Sequence, residues 1–314
     1  MNSVKKSGIF LVFFIIIIIG MAYYVTQVDY NKEETLEIGA EFSNEKILYT
    51  TLSESYKSIA IINADGSNEI IFDDNNYNDE QANWSPDNSQ IVFISNRSGK
   101  KNLYIMDNEG TNIRQLTDMD TIMDYPNWSP DGIKIAFSAW NEGKKDIYSI
   151  NVDGSNLQKL TEATGKVHNE YPSWSPNGEK ILFRSDKGLN ADIYIMDKDG
   201  SNEKKLIEKS FFDGGYTDWS PDGEKIVFTT YIEGSKELYL YYLEDENLVR
   251  LTDNDIYEGY PNWSPDSKKV TFIRYDNRFL NVKYAEIHIM DIENKKTIQI
   301  TDNLKRENYP KWSN

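Results

Sequence analysis

The chain has 314 residues, carries 51 Asp and Glu against 34 Lys and Arg for a net charge of −17, and contains no cysteine. An acid excess of that size excludes a surface built to neutralise nucleic-acid phosphates. The missing thiols exclude disulfides, thiolate metal centres and a cysteine-linked lipid anchor.

In chain order, residues 1–7 carry Lys5 and Lys6, and Gly8 to Val25 ("GIFLVFFIIIIIGMAYYV") follow without a charge. That length is just sufficient to span a bilayer as a helix. The lysines predict a cytoplasmic N-terminus, with Tyr23 and Tyr24 at the far interface. Gly20-Met21-Ala22 also offers small residues behind an apolar core, so a cleaved signal peptide is the alternative to an uncleaved anchor. Either way residues 26–42 read as a linker and residues 43–314 as an extracytoplasmic domain.

Within that domain one phrase recurs: "ANWSPDN", "YPNWSPDG", "YPSWSPNG", "YTDWSPDG" and "YPNWSPDS", with "YPKWSN" at the end. Its tryptophans, at 84, 128, 174, 219, 263 and 312, are spaced by 44, 46, 45, 44 and 49 residues. A period near 45 suits a propeller blade of four strands. Proline, Asp and Gly preset a tight reversal after the first strand. An apolar run follows, such as "KIAF" at 134–137 or "KILF" at 180–183, and reads as a central strand buried on both faces. Next come "DIYSINVDGSN" (146–156) and its copies, a third strand ending in an Asp-Gly hairpin signal. A short fourth strand ends in Leu-Thr, as at Leu116-Thr117, Leu160-Thr161 and Leu251-Thr252.

The first unit, from Lys46, lacks the tryptophan phrase, whereas "YPKWSN" is a first strand with nothing after it. Joined, they complete one blade. The expectation is an all-β, six-bladed propeller of four-stranded blades, the first closed by the C-terminal strand so that no sheet edge is left open. A degraded first strand at "EFSNEK", Glu41 to Lys46, is the weaker alternative.

With these residues in view, the chain resembles the TolB-like six-bladed propeller family, whose WD40-like unit runs P-x-W-S-P-D-G-x-x-I-x-F, then D-I-Y-x-M-D-x-D-G, then L-T. The resemblance spans residues 43 to 314. It implies a propeller that works in the cell envelope mainly by binding other proteins. A membrane segment and linker stand where full-length TolB has an α/β domain. Similar propellers accompany prolyl-oligopeptidase-like hydrolases, but the Gly-x-Ser-x-Gly elbow of those enzymes is missing from this sequence.

Few residues stand outside the repeat's own logic. His288 fills the slot of Tyr104, Tyr148 and Tyr194, and His168 is a lone loop histidine, too few for the metal-binding histidine set of related propeller lyases. The "DKDG" turns share the opening of a calcium loop, but their glycine comes too early. The phrase aspartates Asp87, Asp131, Asp222 and Asp266 read as turn residues. No cofactor, metal site or catalytic residue is assigned.

The segments leading into each phrase are acidic and carry a tyrosine. They predict an acidic, aromatic-rimmed channel mouth made of Asp124, Tyr125, Glu170, Tyr171, Tyr216, Glu258, Tyr260 and Tyr309, which would hold an envelope or cell-surface protein or peptide. A monomeric, non-enzymatic interaction module is the leading expectation. The alternatives are a ligand- or cation-binding sensor and a carbohydrate-active enzyme using two of the mouth carboxylates.

Overall fold

Each Ser-Pro-Asp-Gly phrase forms the reversal its residues dictate. In the copy at Ser129–Gly132, Gly132 N donates to Ser129 O at 2.9 Å, and Asp131 Oδ1 accepts from Ser129 Oγ at 2.6 Å and from Ile133 N at 3.0 Å. Gly132 sits at φ 70°, the left-handed region open to glycine at no steric cost; Asn88 and Ser267 occupy it at 58° and 59° in two other copies. Asp87, Asp222, Asp266 and the variant Asn177 hold their turns the same way. Hydrogen bonds from Ser85 and Ser89 pull the Asp87 carboxyl down to about 2. The turn reading of these acids therefore holds.

The computed structural model describes residues 45–314 except 54, 74–75, 189, 208–214, 233–234, 255, 277–283 and 304. The expected membrane segment at 8–25 and the linker at 26–42 lie outside them. Among the described residues no helix is long and apolar enough to cross a membrane.

Six antiparallel four-stranded sheets make up the domain. Blade 1 contains β1 (Lys46–Ser53), β2 (Tyr56–Asn63) and β3 (Ile70–Phe72). Blade 2 contains β4 (Asp79–Trp84), β5 (Gln90–Ser95), β6 (Asn102–Asp107) and β7 (Arg114–Gln115). Blade 3 contains β8 (Met123–Trp128), β9 (Lys134–Asn141), β10 (Lys144–Asn151) and β11 (Gln158–Lys159). Blade 4 contains β12 (Asn169–Trp174), β13 (Lys180–Ser185), β14 (Asp192–Asp197) and β15 (Lys204–Ile207). Blade 5 contains β16 (Thr217–Trp219), β17 (Lys225–Ile232), β18 (Ser235–Tyr242) and β19 (Leu248–Arg250). Blade 6 contains β20 (Glu258–Trp263), β21 (Lys269–Asp276), β22 (Tyr284–Asp291) and β23 (Thr297–Gln299), and β24 (Glu307–Trp312) completes blade 1 in the order β24-β1-β2-β3.

Closure is thus as expected, and the place that "EFSNEK" would have taken belongs to β24. The seam is locked on both sides. Ser313 N donates to Lys46 O at 2.8 Å, while Asn314 N donates to Asn88 Oδ1 at 2.8 Å and Asn88 Nδ2 returns a bond to Asn314 O at 2.6 Å.

The core lies between blades. Phe93, Phe137, Phe183, Phe228 and Phe272 of the second strands, with Tyr49 in blade 1, are fully buried. Each of these phenylalanines meets the third-strand ring opposite, for example Phe137 and Tyr148 at 5.8 Å between centroids. His288 stacks on Phe272 in that slot at 5.7 Å, and burial pulls it down to about 3, so it is a neutral core ring. The other histidine, His168, packs edge-on against Trp140 at 5.1 Å.

The Leu-Thr ending also has a physical reason. The fourth strands stop early, and the threonine hydroxyl accepts the third-strand N–H left without a partner: Leu103 N to Thr117 Oγ1 at 3.0 Å, Ile147 N to Thr161 Oγ1 and Leu238 N to Thr252 Oγ1 at 2.9 Å each. Short outer strands leave little edge for another chain to extend.

The Asp-Gly hairpins lean on the neighbouring blade. At Gly200, φ is 88° and an added Cβ would stand 2.3 Å from Leu160 O. Gly200→Ala is expected to cost about 1–3 kcal/mol by urea denaturation, from backbone strain and overpacking together.

Candidate functional site

The first strand of every blade lines the central channel, and the Tyr-Pro pair shapes it. Pairing with the second strand shifts register between Asp124 and Asn127, between Glu170 and Ser173, and between Gly259 and Asn262. At these bulges Tyr125, Tyr171, Tyr260 and Tyr309 adopt φ of 54–58°, as Gln81 does at 57° in blade 2. A bulge re-aims its side chain, and here the rings turn inward. Proline follows at 126, 172, 261 and 310, on the inner edge of the sheet, where the missing N–H costs no ladder bond.

With Tyr216, which stands just before β16, these four tyrosines make five phenol rings that meet on the channel axis. Centroids are 4.1 Å apart for Tyr125 and Tyr171, 4.6 Å for Tyr171 and Tyr216, 3.8 Å for Tyr216 and Tyr260, and 4.3 Å for Tyr260 and Tyr309. Gln81 fills the sixth position and accepts Tyr125 N at 2.6 Å. Burial pushes the Tyr309 phenol up to about 12 and the Tyr216 phenol well above its ordinary value, so the plug stays uncharged.

On one side of the plug stands a collar of paired charges. Lys145 Nζ lies 2.9 Å from Asp124 Oδ2 and 2.7 Å from Glu170 Oε1, and Arg184 reaches Glu170 Oε2 at 2.8 Å. Lys101 meets Glu80 at 2.6 Å, with Lys57 on its other oxygen. Arg274 holds Glu258 at 2.9 Å. Burial would lower Lys145, but Glu170 and Asp124 outweigh it and hold its ammonium above the usual value. Lys145 and Lys236 cap the plug, 5.8 Å from the Tyr125 ring and 5.1 Å from the Tyr216 ring.

This arrangement corrects one expectation. Asp124 and Glu258 are buried, Glu170 is nearly so, and all three are ion-paired rather than exposed on a rim. The physical reason is a cation supplied by a neighbouring strand. Lysine precedes the third strand's apolar run at 57, 101, 145 and 236, a recurrence visible in the sequence. Exposed acids on that side are Asp118, Asp120, Glu162, Asp253 and Asp302, in the connections farther out. The tyrosines are brought together, as a plug on the channel axis rather than around a rim.

The other side of the plug is open. A cavity of about 60 Å³ is lined by all five tyrosines and by Asn83, Asn127, Ser173 and Lys311. Those last four residues also line a funnel of about 320 Å³ bordered by the six phrase tryptophans and by Pro86, Pro130, Pro176 and Pro221. The residue before each tryptophan forms a polar ring here: Asn83, Asn127, Ser173, Asp218, Asn262 and Lys311. Asn127 Oδ1, Asp218 Oδ2 and Asn262 Oδ1 accept the backbone N–H of Trp174, Trp263 and Trp312 in the next blade, at 3.1, 3.0 and 2.8 Å. The indole Nε1 atoms of all six tryptophans are buried with no acceptor from the protein. A polar residue in the third place of every phrase was the signal for this ring. Among the described residues no group of three or more His, Asp or Glu could hold a metal ion.

The TolB beta propeller domain family model matches residues 40–214. No curated protein matches the chain. Among solved structures, TolB from Acinetobacter baumannii is 20% identical, with a TM-score of 0.73 over 87% of this chain and 67% of that one. A putative TolB from Agrobacterium tumefaciens is 23% identical, with a TM-score of 0.70 over 82% and 90%. Oligogalacturonate lyase from Vibrio parahaemolyticus, an enzyme, is 13% identical, with a TM-score of 0.57 over 81% and 73%. Six closed four-stranded blades, the recurring phrase and a family match across more than half of the chain agree: this protein belongs to the TolB β-propeller family.

Proposed function

We propose that the chain is an extracytoplasmic protein-interaction module of the cell envelope, tethered by the apolar segment at 8–25 or released on its cleavage. Its propeller takes an extended peptide segment of a partner protein into the channel from the Ser-Pro-Asp-Gly face. The observation that carries this reading is the tyrosine plug. It makes the channel a blind socket with an uncharged aromatic floor, a ring of amide and hydroxyl groups and a wall of indole and proline. Aromatic anchors desolvate a peptide at low entropic cost, and the amide and hydroxyl groups of the polar ring match peptide carbonyls and amides. The carboxylates of the opposite face favour this reading over glycoside chemistry, because Asp124 and Glu170 share one lysine and neither is free to act as a separately tuned acid or base.

The test is a bulky plug. Asn83 lines both the cavity and the funnel. Immobilised full chain is expected to retain a partner from envelope extracts, and Asn83→Trp to lose at least tenfold in affinity with an unchanged thermal midpoint. Equal retention by the two would exclude the channel.

A further inference from the structure

The closing strand carries a buried carboxylate that no cation among the described residues meets. Glu307 is fully buried and meets two neutral groups, the Thr301 hydroxyl, which can accept a hydrogen bond from the protonated carboxyl, and Asn303 Nδ2, which donates to the other oxygen at 2.7 Å. Two other blades carry an acid at this place in the first strand, and each has an arginine: Glu258 with Arg274 at 2.9 Å and Asp79 with Arg97 at 2.7 Å. Glu258 faces Arg274 across its strand pair, whereas Glu307 faces Thr51.

The charged and titratable groups on the elements packed against β24 do not replace that partner. Tyr49 of β1 gives its hydroxyl to Glu69. Arg274 of β21 is taken by Glu258 of β20, and Glu80 of β4 by Lys57 and Lys101. On β22, Glu286 adds a further negative charge near Glu307. On the approach to β24, Arg306 lies over the Tyr275 ring at 6.0 Å.

We propose that Glu307 is a protonation latch on the ring: neutral, it seals β24 into blade 1, and ionised, it loosens the seam between β24 and β1. Burial, with Glu286 and Glu69 nearby, pushes this carboxyl up to about 7. A carboxyl raised on folding holds its proton in the native state after the unfolded chain has lost it. Its contribution is therefore complete below the unfolded value of 4.5 and is lost as pH rises through about 7. The device would tie the firmness of the closed ring, and with it the funnel that Trp312 borders, to the acidity outside the cell.

Hydrogen exchange of the β24 amides in the full chain, corrected for intrinsic rates, tests this between pH 6 and 8. Wild-type protection is expected to fall about tenfold more at β24 than at β9, and Glu307→Gln to abolish that difference. Should Glu307→Gln fail to fold, Thr51→Arg supplies the missing cation and is expected to flatten the same profile. A wild-type β24 that follows β9 across the range, or a slope left unchanged by whichever variant folds, would overturn the latch.

Discussion

Truncation after Arg306 is expected to abolish cooperative unfolding rather than merely lower its midpoint. The missing segment is β24 with Ser313 and Asn314. Trp312 is 4% exposed in a cluster with Ile47, Tyr49, Ile62, Ile287 and Ile289, so blades 6 and 1 would lose their common wedge. Loss of one such indole costs about 3–5 kcal/mol, a large share of the roughly 5–15 kcal/mol that holds a domain together. The truncation also strips the hydrogen bonds between β24 and β1 and the Asn88–Asn314 pair, and it bares the β1 edge to other chains. Calorimetry with light scattering would show a broad transition and aggregation. A sharp transition within a few degrees of the full chain would mean that closure by β24 is dispensable.

The second large effect is expected at Lys145. Its ammonium neutralises two carboxylates at 2.9 and 2.7 Å, and its side chain is 9% exposed. Lys145→Met leaves Asp124 with no cation and Glu170 with Arg184 alone. Breaking a buried pair from one side costs about 3–5 kcal/mol, because the stranded charge cannot be resolvated. Urea denaturation should show that loss, and adding Asp124→Asn to Lys145→Met should recover part of it. Additive losses in the double variant would mean that the two side chains are not coupled. Lysine at 124, 170 or 258 is for the same cause a poor probe of binding, because it would set a second cation against Lys145, Arg184 or Arg274 and unsettle the fold.

Much of this architecture is legible in the sequence because one physical problem is solved repeatedly. A phrase that presets a turn, a phenylalanine strand buried on both faces and a threonine that replaces a missing strand partner recur with little change, so each recurrence checks the others. The closure by "YPKWSN" follows from counting. The site was legible only in part. The tyrosines are readable as a recurring set, but the inward turn of Tyr125, Tyr171, Tyr260 and Tyr309 depends on a left-handed backbone at the bulge, which no residue type there announces. The acids were misplaced because burial depends on a partner from another strand, and Lys145 lies 21 residues beyond Asp124 and 25 before Glu170. The polar ring before the tryptophans was missed because Asn, Ser, Asp and Lys share no chemical label except polarity.

The most direct test of the account is photocrosslinking from the two faces. A benzophenone residue at position 83 stands in the funnel, and one at the exposed Asp120 stands on the opposite face. A partner adduct is expected from position 83 and none from position 120. An adduct from position 120 with none from position 83 would contradict it and return the binding surface to the acidic connections.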